Sequence, residues 1–414
     1  MTISRDKTPA SPTAKWLTVV GIGADGLAGL SDRARAAIAG ADHVFGGTRH
    51  LALAARLIEG AAVPWPSPFD PGMAAVLARR GQPVCVLASG DPMWHGVGVT
   101  LARHVAADEM VVIPAPSAFS LAAARLTWPL AEVATLSLHG RALAHLRPYL
   151  APGRKLLALT SDGAGPAAIA DYLTALGLGH ATLTVLEDLG GPAERVRQRP
   201  AADFDLGSVH DLNLVAIEFT TAGAAAILPA APGLPDDWFA HDGQLTKREL
   251  RALTLSALRP TAGQRLWDIG GGAGSVAIEW LLAGPAMAAI GIERVAARAE
   301  GMRVNAENLG VPQLQVVVGA APAALADLPR PDAIFIGGGG SQPGVMAAAL
   351  AALPAGGRLV ANAVTLEMEA ILADCHTTHG GQLRRIAVQH AEAVGRLTAW
   401  RPAMPVTQWM WRKP

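Results

Sequence analysis

Short apolar runs alternate with segments of helical period along most of the chain, and this alternation predicts an α/β protein. In the first half, the predicted strands are Trp16–Ile22, His43–Phe45, Pro83–Ala88 and Met110–Pro114, then Leu136–Leu138, Leu156–Thr160, Thr182–Leu186 and Asn213–Phe219. The predicted helices there are Asp32–Ala39, with Ser31 as its N-cap, Ser117–Leu126 and Ala167–Leu176. The pattern changes after about residue 130, which predicts two α/β lobes within this half.

The second half alternates more regularly, which predicts a doubly wound, mostly parallel sheet with helices on both faces. The predicted strands are Arg265–Ile269, Ala288–Ile292, Gln315–Val318, Ala333–Ile336, Arg358–Ala361, Arg384–Gln389 and Gln408–Trp411. The predicted helices are Lys247–Leu258, Ser275–Leu282, Ala296–Asn308, Gly344–Leu353 and Leu366–Cys375. Residues 221–237 are rich in Pro, Gly and Ala and predict a linker between domains at 16–220 and 238–411.

A length of 414 residues predicts two domains, and the composition narrows the class of protein. Hydrophobic residues make up 51%, yet Arg, Asp, Gly or Pro interrupts each apolar run before it reaches the ~18 residues of a membrane span. A net charge of zero argues against a broad nucleic-acid surface. Residues 1–15 lack a secretory signal and predict a frayed tail, and the only cysteines, Cys85 and Cys375, suit reduced thiols. We therefore expect a cytoplasmic protein without membrane or nucleic-acid partners.

Two glycine-rich turns, each directly after a predicted strand, are the clearest chemical signals. Such a turn lets a nucleotide-like ligand approach the backbone closely. In the second one, Asp268-Ile269-Gly270-Gly271-Gly272-Ala273-Gly274, the turn is followed by a strand that ends at Glu293, where a carboxylate can bond a ribose diol. NAD also fits this pattern, but the D-x-G-x-G form and the position of Asp268, which can face an ammonium group, favour S-adenosylmethionine.

The segment Val318–Pro322 resembles the adenine-contacting turn of class I methyltransferases, and the region from about 240 to 410 resembles that family. The resemblance implies a Rossmann-like fold and cofactor contacts at Asp268, Gly270, Gly272, Gly274, Glu293 and Ala320. Gly337–Gly340 replaces the Asn/Asp-Pro-Pro-aromatic motif of exocyclic-amine methyltransferases, so the glycine loop predicts room for a bulky acceptor. No carboxylate cluster is apparent, and Cys375-His376-x-x-His379 lacks further paired ligands, so no metal is expected.

The first turn, Gly21-Ile22-Gly23-Ala24-Asp25-Gly26, matches the dinucleotide fingerprint, and Asp42 lies near its acidic position. A dinucleotide site needs a helix that opens on the turn, whereas the cap Ser31 follows Gly26 by five residues. Together with Leu87–Gly96 and Pro116–Leu126, the turn resembles the tetrapyrrole methylase family, the class III methyltransferases, over about residues 16–220. That resemblance implies a two-lobed fold that binds S-adenosylmethionine, with contacts at Gly21, Gly23, Gly90, Asp91, Pro92, Ser117 and Ala118.

A chain that joins these two domains is similar to the fused methyltransferases of cobalamin synthesis. Ser137–Arg141 and Gly243–Glu249 match segments of such proteins. The resemblance implies methylation of C5 and C15 of a tetrapyrrole and loss of carbon dioxide from the ring-C acetate. It assigns C5 to the N-terminal domain, and C15 with decarboxylation to the C-terminal domain. Self-association is a further expectation, because both families commonly form oligomers.

The candidate residues for substrate binding and catalysis come from the same segments. Basic side chains suit a substrate with many carboxylates. The catalytic candidates are His241, Lys247 and Asn362, and the substrate-binding candidates are His139, Arg141, Thr246, Arg248, Arg251 and Gly338. The alternatives are a solvated helix face for the basic residues at 247–251 and a capping or turn role for Asn362. Trp400, Trp409 and Trp411 are expected to pack within late strands.

Three other functions stay open on sequence grounds. A two-domain NAD(P)-dependent oxidoreductase would use both turns, but the late helix and Ser89-Gly90-Asp91-Pro92 count against it. An RNA or protein methyltransferase fits class III relatives, although neutral charge and scarce lysine disfavour RNA. A regulator that binds S-adenosylmethionine without turnover also fits.

Overall fold

The computed structural model describes residues 15–223, 225 and 227–414, and they form two compact units. Unit 1 comprises the chain up to Arg141 and the stretch that starts at Ala151; unit 2 comprises Ala142–Leu150 and the stretch that starts at Ile227. The predicted N-terminal tail lies almost wholly outside the described residues, and so does part of the predicted linker. In the part of the chain described, no helix is long and apolar enough to cross a membrane.

The first lobe of unit 1 is a five-stranded sheet, all parallel. Its strands are β1 (Leu17–Ile22), β2 (His43–Gly46), β3 (Ala61–Pro64), β4 (Val84–Ser89) and β5 (Met110–Ile113). Its helices are α1 (Asp32–Ala39), α2 (Thr48–Ala54), α3 (Asp70–Leu77) and α4 (Val97–Leu101), besides the 3-10 turn Gly26–Gly29, and α5 (Ala118–Leu126) follows β5 and leads into the second lobe. The order is β3-β2-β4-β1-β5, and Ser31 caps α1 as predicted by accepting from the Ala34 amide at 3.3 Å.

The second lobe is a mostly antiparallel sheet. It contains β6 (Ala134–Ser137), β7 (Leu156–Leu159), β8 (Thr182–Glu187), β9 (Arg195–Pro200), β10 (Asn213–Glu218), α6 (Gly165–Ala175) and the 3-10 turn Leu130–Glu132. The order is β6-β7-β10-β8-β9, and only β6 and β7 run parallel. Helix α5 packs on this sheet, since Phe119 and Ala122 share a buried cluster with Leu157, Leu186 and Leu214. The two predicted lobes are confirmed.

Unit 2 contains a seven-stranded, doubly wound sheet. Its strands are β11 (Arg265–Ile269), β12 (Ala288–Glu293), β13 (Gln315–Val318), β14 (Ala333–Ile336), β15 (Arg358–Ala363), β16 (Gln382–Ile386) and, after the hairpin described next, β19 (Val406–Arg412). Its helices are α7 (Arg248–Leu258), α8 (Ser275–Leu282), α9 (Ala296–Asn308), α10 (Val345–Ala352) and α11 (Leu366–His379), with 3-10 turns at Leu143–Tyr149, Asp236–Trp238 and Ala323–Leu325. The order β13-β12-β11-β14-β15-β19-β16, parallel except where β19 joins β15 and β16, confirms the predicted fold.

The predicted strand Arg384–Gln389 is wrong at its end. β16 stops at Ile386, and Gln389 instead begins β17 (Gln389–Val394), which pairs antiparallel with β18 (Leu397–Pro402) as a separate hairpin. Every residue of both strands is exposed, and Trp400 is 72% exposed, so the expectation that it packs within a strand is wrong as well. Trp409 is fully buried and Trp411 stacks on it with ring centres 6.0 Å apart.

A buried ion pair fixes the start of unit 2. Arg251 on α7 donates from Nε to Glu279 on α8 at 2.5 Å and from Nη1 to Asp236 at 3.1 Å, and it also donates to the Leu234 carbonyl. Glu279 accepts from the amides of Gly233 and Leu234 at 2.6 and 2.9 Å. Both charged side chains are almost inaccessible to solvent, so the charge of each is compensated mainly by the other.

Replacing Arg251 by Met is expected to destabilise unit 2 by about 3–5 kcal/mol, because Glu279 then remains buried without its cation. Urea denaturation, with hydrogen exchange of residues 233–258 to assign the transition to unit 2, measures the effect. Arg248→Met, an exposed position on the same helix, serves as the control and should stay within about 0.5 kcal/mol of the wild type. Equal losses in the two variants would contradict the structural role of the pair.

Candidate active sites

The carboxyl edge of the first sheet brings the three N-terminal motifs together. The Gly90 amide donates to the Ile22 carbonyl at 3.1 Å, and the Ala115 amide donates to the Gly90 carbonyl at 3.2 Å. A Cβ on Gly21 would overlap that carbonyl oxygen and would lie 2.6 Å from the Ala115 nitrogen. The ends of β1, β4 and β5 therefore touch through bare backbone, which leaves a cradle that a ligand can approach closely.

The polar side chains of these motifs accept hydrogen bonds from nearby backbone amides. Ser117 accepts from the Ser120 amide at 3.1 Å and so caps α5, next to Ala118. Asp91 accepts from the Met93 amide at 2.8 Å, which shapes the turn through Pro92. These contacts hold the motif backbone in place, and the predicted cofactor role of the three motif segments stays a prediction.

The predicted substrate residues of unit 1, His139 and Arg141, are exposed in the loop after β6. Burial lowers the pKa of His95, and the positive charge of Arg141 lowers it further, which places Arg141 beside the loop that follows Asp91. The structure thus brings Arg141 to the motif edge. A surface cavity of about 510 Å³ lies instead at the opposite edge of the first sheet, lined by Lys15, Trp16, Thr18, Ala36, Ala37, Gly40, Ala41, Arg80, Gly81, Gln82, Pro83, Val84 and Glu109.

Sequence reasoning missed two residues at the motif edge, Arg49 and His50. They lie in the first turn of α2, shortly after the end of β2, and both contact the Ser89 hydroxyl at the end of β4. Their position after a predicted strand of a parallel sheet was the signal that could have found them, because ligands bind at the carboxyl ends of such strands.

In unit 2, the second glycine turn meets the loop that follows β14. Gly270 has φ of +69°, and a Cβ there would overlap the carbonyl oxygen of Gly338. Gly272 has φ of +54°, and a Cβ there would lie 2.8 Å from the Gln244 carbonyl oxygen. Gly274, with φ of +79°, packs against Met302. The turn therefore requires glycine for conformation and for space, and it lies beside the segment that contains His241 and Lys247.

Two buried carboxylates stand at this turn. Glu293 accepts from the amides of Gly272 at 3.0 Å and Val295 at 2.9 Å. Asp268 accepts from the Ala277 amide at 3.1 Å through Oδ2, whereas its buried Oδ1 has no partner. Burial, opposed by the Ala277 hydrogen bond and reinforced by the charge of Glu293, raises the pKa of Asp268 to about 7. An unpartnered carboxylate oxygen fits the ammonium group of S-adenosylmethionine.

The loops on either side of the turn hold the remaining predicted contacts. The Gly319 amide donates to the Glu293 carbonyl at 3.0 Å, so the exposed Ala320 lies close to that carboxylate residue. The glycine loop after β14 is less open than expected, because a Cβ on Gly337 would lie 2.8 Å from the Phe335 ring and one on Gly340 would lie 2.5 Å from Met368. Only Gly339 in this loop has open space at its Cβ position.

The segment before α7 carries exposed polar groups near the turn. His241 is exposed and its Nδ1 accepts from the Gly243 amide at 3.0 Å. Lys247 is the N-cap residue of α7, with its Nζ 4.0 Å from Asp236, and Arg248 is exposed beside it. Thr246 is half-buried, and its carbonyl accepts from Arg251 at 2.6 Å.

Two predicted site residues need correction. Arg251 is fully buried in the ion pair with Glu279, so its prediction as a substrate ligand is wrong. The Asn362 amide donates to Thr254 at 3.2 Å and accepts from Gln408 at 2.8 Å. Both ends of that side chain are thus engaged in a polar network between α7, β15 and β19, and these contacts favour a structural role over a catalytic one.

The Cys375–His379 segment contributes to packing within unit 2. Cys375 is buried in the core of unit 2, and His379 lies against the Trp409 and Trp411 rings. Within residues 15–223, 225 and 227–414, no group of three or more His, Cys, Asp or Glu side chains is placed to hold a metal ion.

Comparison with known proteins matches each half to a family. Residues 16–205 match the model of the tetrapyrrole (corrin/porphyrin) methylases, and residues 237–413 match that of the precorrin methyltransferase domain. A precorrin-6Y C(5,15)-methyltransferase [decarboxylating] of Sinorhizobium sp is 58% identical over 398 residues, which cover 96% of each chain. The chain belongs to the precorrin-6Y C5,15-methyltransferase (decarboxylating) family. It is therefore a methyltransferase enzyme of cobalamin biosynthesis, and the oxidoreductase, RNA or protein methyltransferase and regulator alternatives are set aside.

Two further relatives are about half as long as this chain, and each is named for one of the two methylations. A cobalt-precorrin-7 C(5)-methyltransferase of Salmonella typhimurium is 33% identical over 208 residues, 47% of this chain and 96% of its own. A probable cobalt-precorrin-6B C(15)-methyltransferase (decarboxylating) of Pyrobaculum aerophilum is 34% identical over 184 residues, 43% of this chain and 94% of its own. The C5 and the C15 activities are thus named for chains about half as long as this one.

The raised pKa of Asp268 predicts a pH-dependent stability. The folded state binds this proton more tightly than the unfolded chain, so unit 2 loses stability as pH rises from about 4 to about 7 and no more above that. The free energy of unfolding of Asp268→Asn relative to the wild type, measured without cofactor, should therefore be about 2–4 kcal/mol higher at pH 8 than at pH 4.5. Urea denaturation at the two pH values measures this difference, and an identical Asn effect at both would contradict the buried, unpaired acid.

Proposed function

We propose that the chain converts precorrin-6Y to precorrin-8X by two methyl transfers from S-adenosylmethionine, to C5 and C15, and by loss of the ring-C acetate carboxyl as carbon dioxide. Unit 1 methylates C5, and unit 2 methylates C15 and decarboxylates. The observation that carries the proposal is a pair of unrelated glycine cradles, one at the carboxyl edge of each parallel sheet, where α/β proteins bind their ligands. The half-length relatives named for one activity each support the division of labour.

S-adenosylmethionine supplies an electrophilic methyl group in each site. In unit 2 we assign the ammonium to Asp268 and the ribose to Glu293, with Gly270, Gly272 and Gly274 giving the ligand access to the backbone. In unit 1 we assign cofactor contacts to the segments around Gly21–Gly23, Gly90–Pro92 and Ser117–Ala118. These contacts orient the methyl donor towards the acceptor carbon, which is the main service a protein provides to such a transfer.

The acceptor carbon needs little acid–base help from the protein. A ring nitrogen pushes electrons towards the meso carbon as the carbon–methyl bond forms and the sulfur–methyl bond breaks. In decarboxylation, the bond to the carboxyl carbon breaks and the conjugated imine accepts its electron pair. The exposed cations Arg141, Lys247 and Arg248 and the polar His139, His241 and Thr246 are then assigned to hold carboxylate and other polar groups of the macrocycle.

The proposal also includes a reducing compartment, the cytoplasm. Cys85 and Cys375 are free and buried in separate units, which suits an environment that keeps thiols reduced.

Mass spectrometry of the tetrapyrrole after incubation with precorrin-6Y and S-adenosylmethionine tests the proposal. The wild type should add two methyl groups and release one carbon dioxide. Gly272→Arg should abolish carbon dioxide release and C15 methylation, because φ is positive and the Gln244 carbonyl leaves no room. Gly21→Ala is the matched variant for unit 1 and should abolish C5 methylation only, since its Cβ overlaps the Gly90 backbone.

Three results would contradict the proposal or its assignments. Release by Gly272→Arg would contradict the assignment of decarboxylation to unit 2. C5 methylation by Gly21→Ala at the wild-type rate would contradict the assignment of C5 to unit 1. An unchanged tetrapyrrole mass with the wild-type protein, in a sample that binds S-adenosylmethionine, would overturn the precorrin assignment altogether.

We further propose that the chain forms a homo-oligomer through the β17–β18 hairpin. An isolated two-stranded hairpin is marginal in water, yet this one exposes Val394, Leu397 and Trp400, at 57%, 77% and 72%. A second copy of the hairpin can cover these side chains and pair with the open strand edges.

A double change, Leu397→Ser with Trp400→Ser, should therefore lower the molar mass measured by light scattering after gel filtration. Thr398→Ser, on the same strand, is the control and should leave the molar mass unchanged. A wild-type protein that elutes as a monomer, or a double variant with wild-type mass, would contradict association through this hairpin.

A further inference from the structure

A polar cluster at the motif edge of unit 1 lies outside all the contacts assigned above. It consists of Arg49 and His50, after β2, and Ser89, the last residue of β4. Arg49 Nη2 lies 3.2 Å from His50 Nε2 and 3.3 Å from Ser89 Oγ, and His50 Nε2 lies 2.8 Å from the same Oγ. Because Ser89 precedes Gly90, which packs on Gly21, the cluster adjoins the proposed cofactor cradle.

The chemistry of the three groups fixes the direction of these hydrogen bonds. A guanidinium only donates, so the contact with Arg49 assigns the acceptor role to His50 Nε2 and the ring proton to Nδ1, which is buried and has no hydrogen-bond partner. Burial, and secondly the positive charge of Arg49, lowers the pKa of His50 to about 4. The imidazole is therefore neutral near pH 7, and it acts as an acceptor that orients the guanidinium rather than as a proton carrier.

The second lobe faces this cluster through Asp188. Its negative charge raises the pKa of Arg49, but burial lowers it more, so desolvation of the guanidinium outweighs that attraction. Over the described part of the chain, no carboxylate forms an ion pair with Arg49. A Cβ on Gly191, in the loop after Asp188, would lie 2.9 Å from Ala24, which places this loop beside the first glycine turn.

We propose that Arg49 binds a peripheral carboxylate of the tetrapyrrole in the unit 1 site, and that His50 is a positioning residue that holds its guanidinium. Arg49 is an exposed cation without a paired carboxylate; His50 and Ser89 orient it, and it lies beside the cofactor cradle and near Asp188 of the second lobe. The planar fork of arginine binds a carboxylate through two parallel hydrogen bonds, and such a contact fixes both the position and the orientation of the ligand. The inference rests on the proposed function of unit 1 and adds the carboxylate contact to it.

The test measures C5 methylation by the full-length protein at saturating S-adenosylmethionine, with the tetrapyrrole concentration varied. Arg49→Gln should raise the KM for the tetrapyrrole about tenfold or more, with a smaller change in kcat and an unchanged KM for S-adenosylmethionine. Arg49→Lys should show an intermediate KM, because the charge is kept and the fork is lost. Arg80→Gln removes an exposed arginine at the opposite edge of the sheet and should match the wild type.

The two His50 variants separate positioning from a general structural role. His50→Gln retains an acceptor and should stay close to the wild type, whereas His50→Leu should raise the KM for the tetrapyrrole several-fold. Carbon dioxide release by unit 2 in the same samples serves as the internal control for an intact protein.

A wild-type KM for the tetrapyrrole in both Arg49 variants would overturn the inference. So would a His50→Leu effect that is confined to the KM for S-adenosylmethionine, or equal effects of the two His50 variants. Failure of the wild-type protein to methylate C5 would overturn the proposed function of unit 1 itself, so the two failures are distinguishable.

Discussion

Contact between bare backbones at the ends of parallel strands is the constraint on which both candidate sites depend. In unit 1 the Gly90 carbonyl occupies the space where Gly21 would carry a Cβ, and in unit 2 the Gly338 carbonyl does the same at Gly270. Any side chain at either glycine would push two neighbouring strand ends apart and separate the loops that form the cradle. Both sheets thus have bare backbone at their carboxyl edge, where a nucleotide-sized ligand needs access to main-chain groups.

Much of this architecture is predictable from local pattern. The parallel strands of unit 2 are short, largely apolar and separated by helices, so periodicity places Arg265–Ile269, Gln315–Val318 and Ala333–Ile336 without error. The strands that escape prediction lack that contrast. β9 (Arg195–Pro200) and the hairpin strands β17 and β18 are exposed over most or all of their length, so their formation depends on pairing rather than on an apolar face.

The candidate site is harder to predict because sequence does not reveal what a charged side chain contacts. Arg248 and Arg251 lie one turn apart in a single basic segment, yet the first is exposed and the second is sealed against Glu279 and Asp236. Only the three-dimensional placement of an acidic residue from α8 distinguishes them. The converse holds for Arg49, since an exposed arginine at the start of α2 becomes a ligand candidate once Ser89 and His50 are seen to orient it.

The carboxylates of unit 2 also bear on how one site can favour methyl donor over product. Burial, and less strongly the negative charge of Glu293, raises the pKa of Asp268, so a ligand that brings positive charge to this site is favoured. S-adenosylmethionine carries two positive groups, the ammonium and the sulfonium, and one negative carboxylate. The demethylated product has lost the sulfonium charge. On the proposed contacts, both ligands place their ammonium against Asp268 Oδ1, but only the donor brings a second positive charge to this buried acidic site. With these contacts, the electrostatic attraction to these two residues is stronger for the donor than for the product.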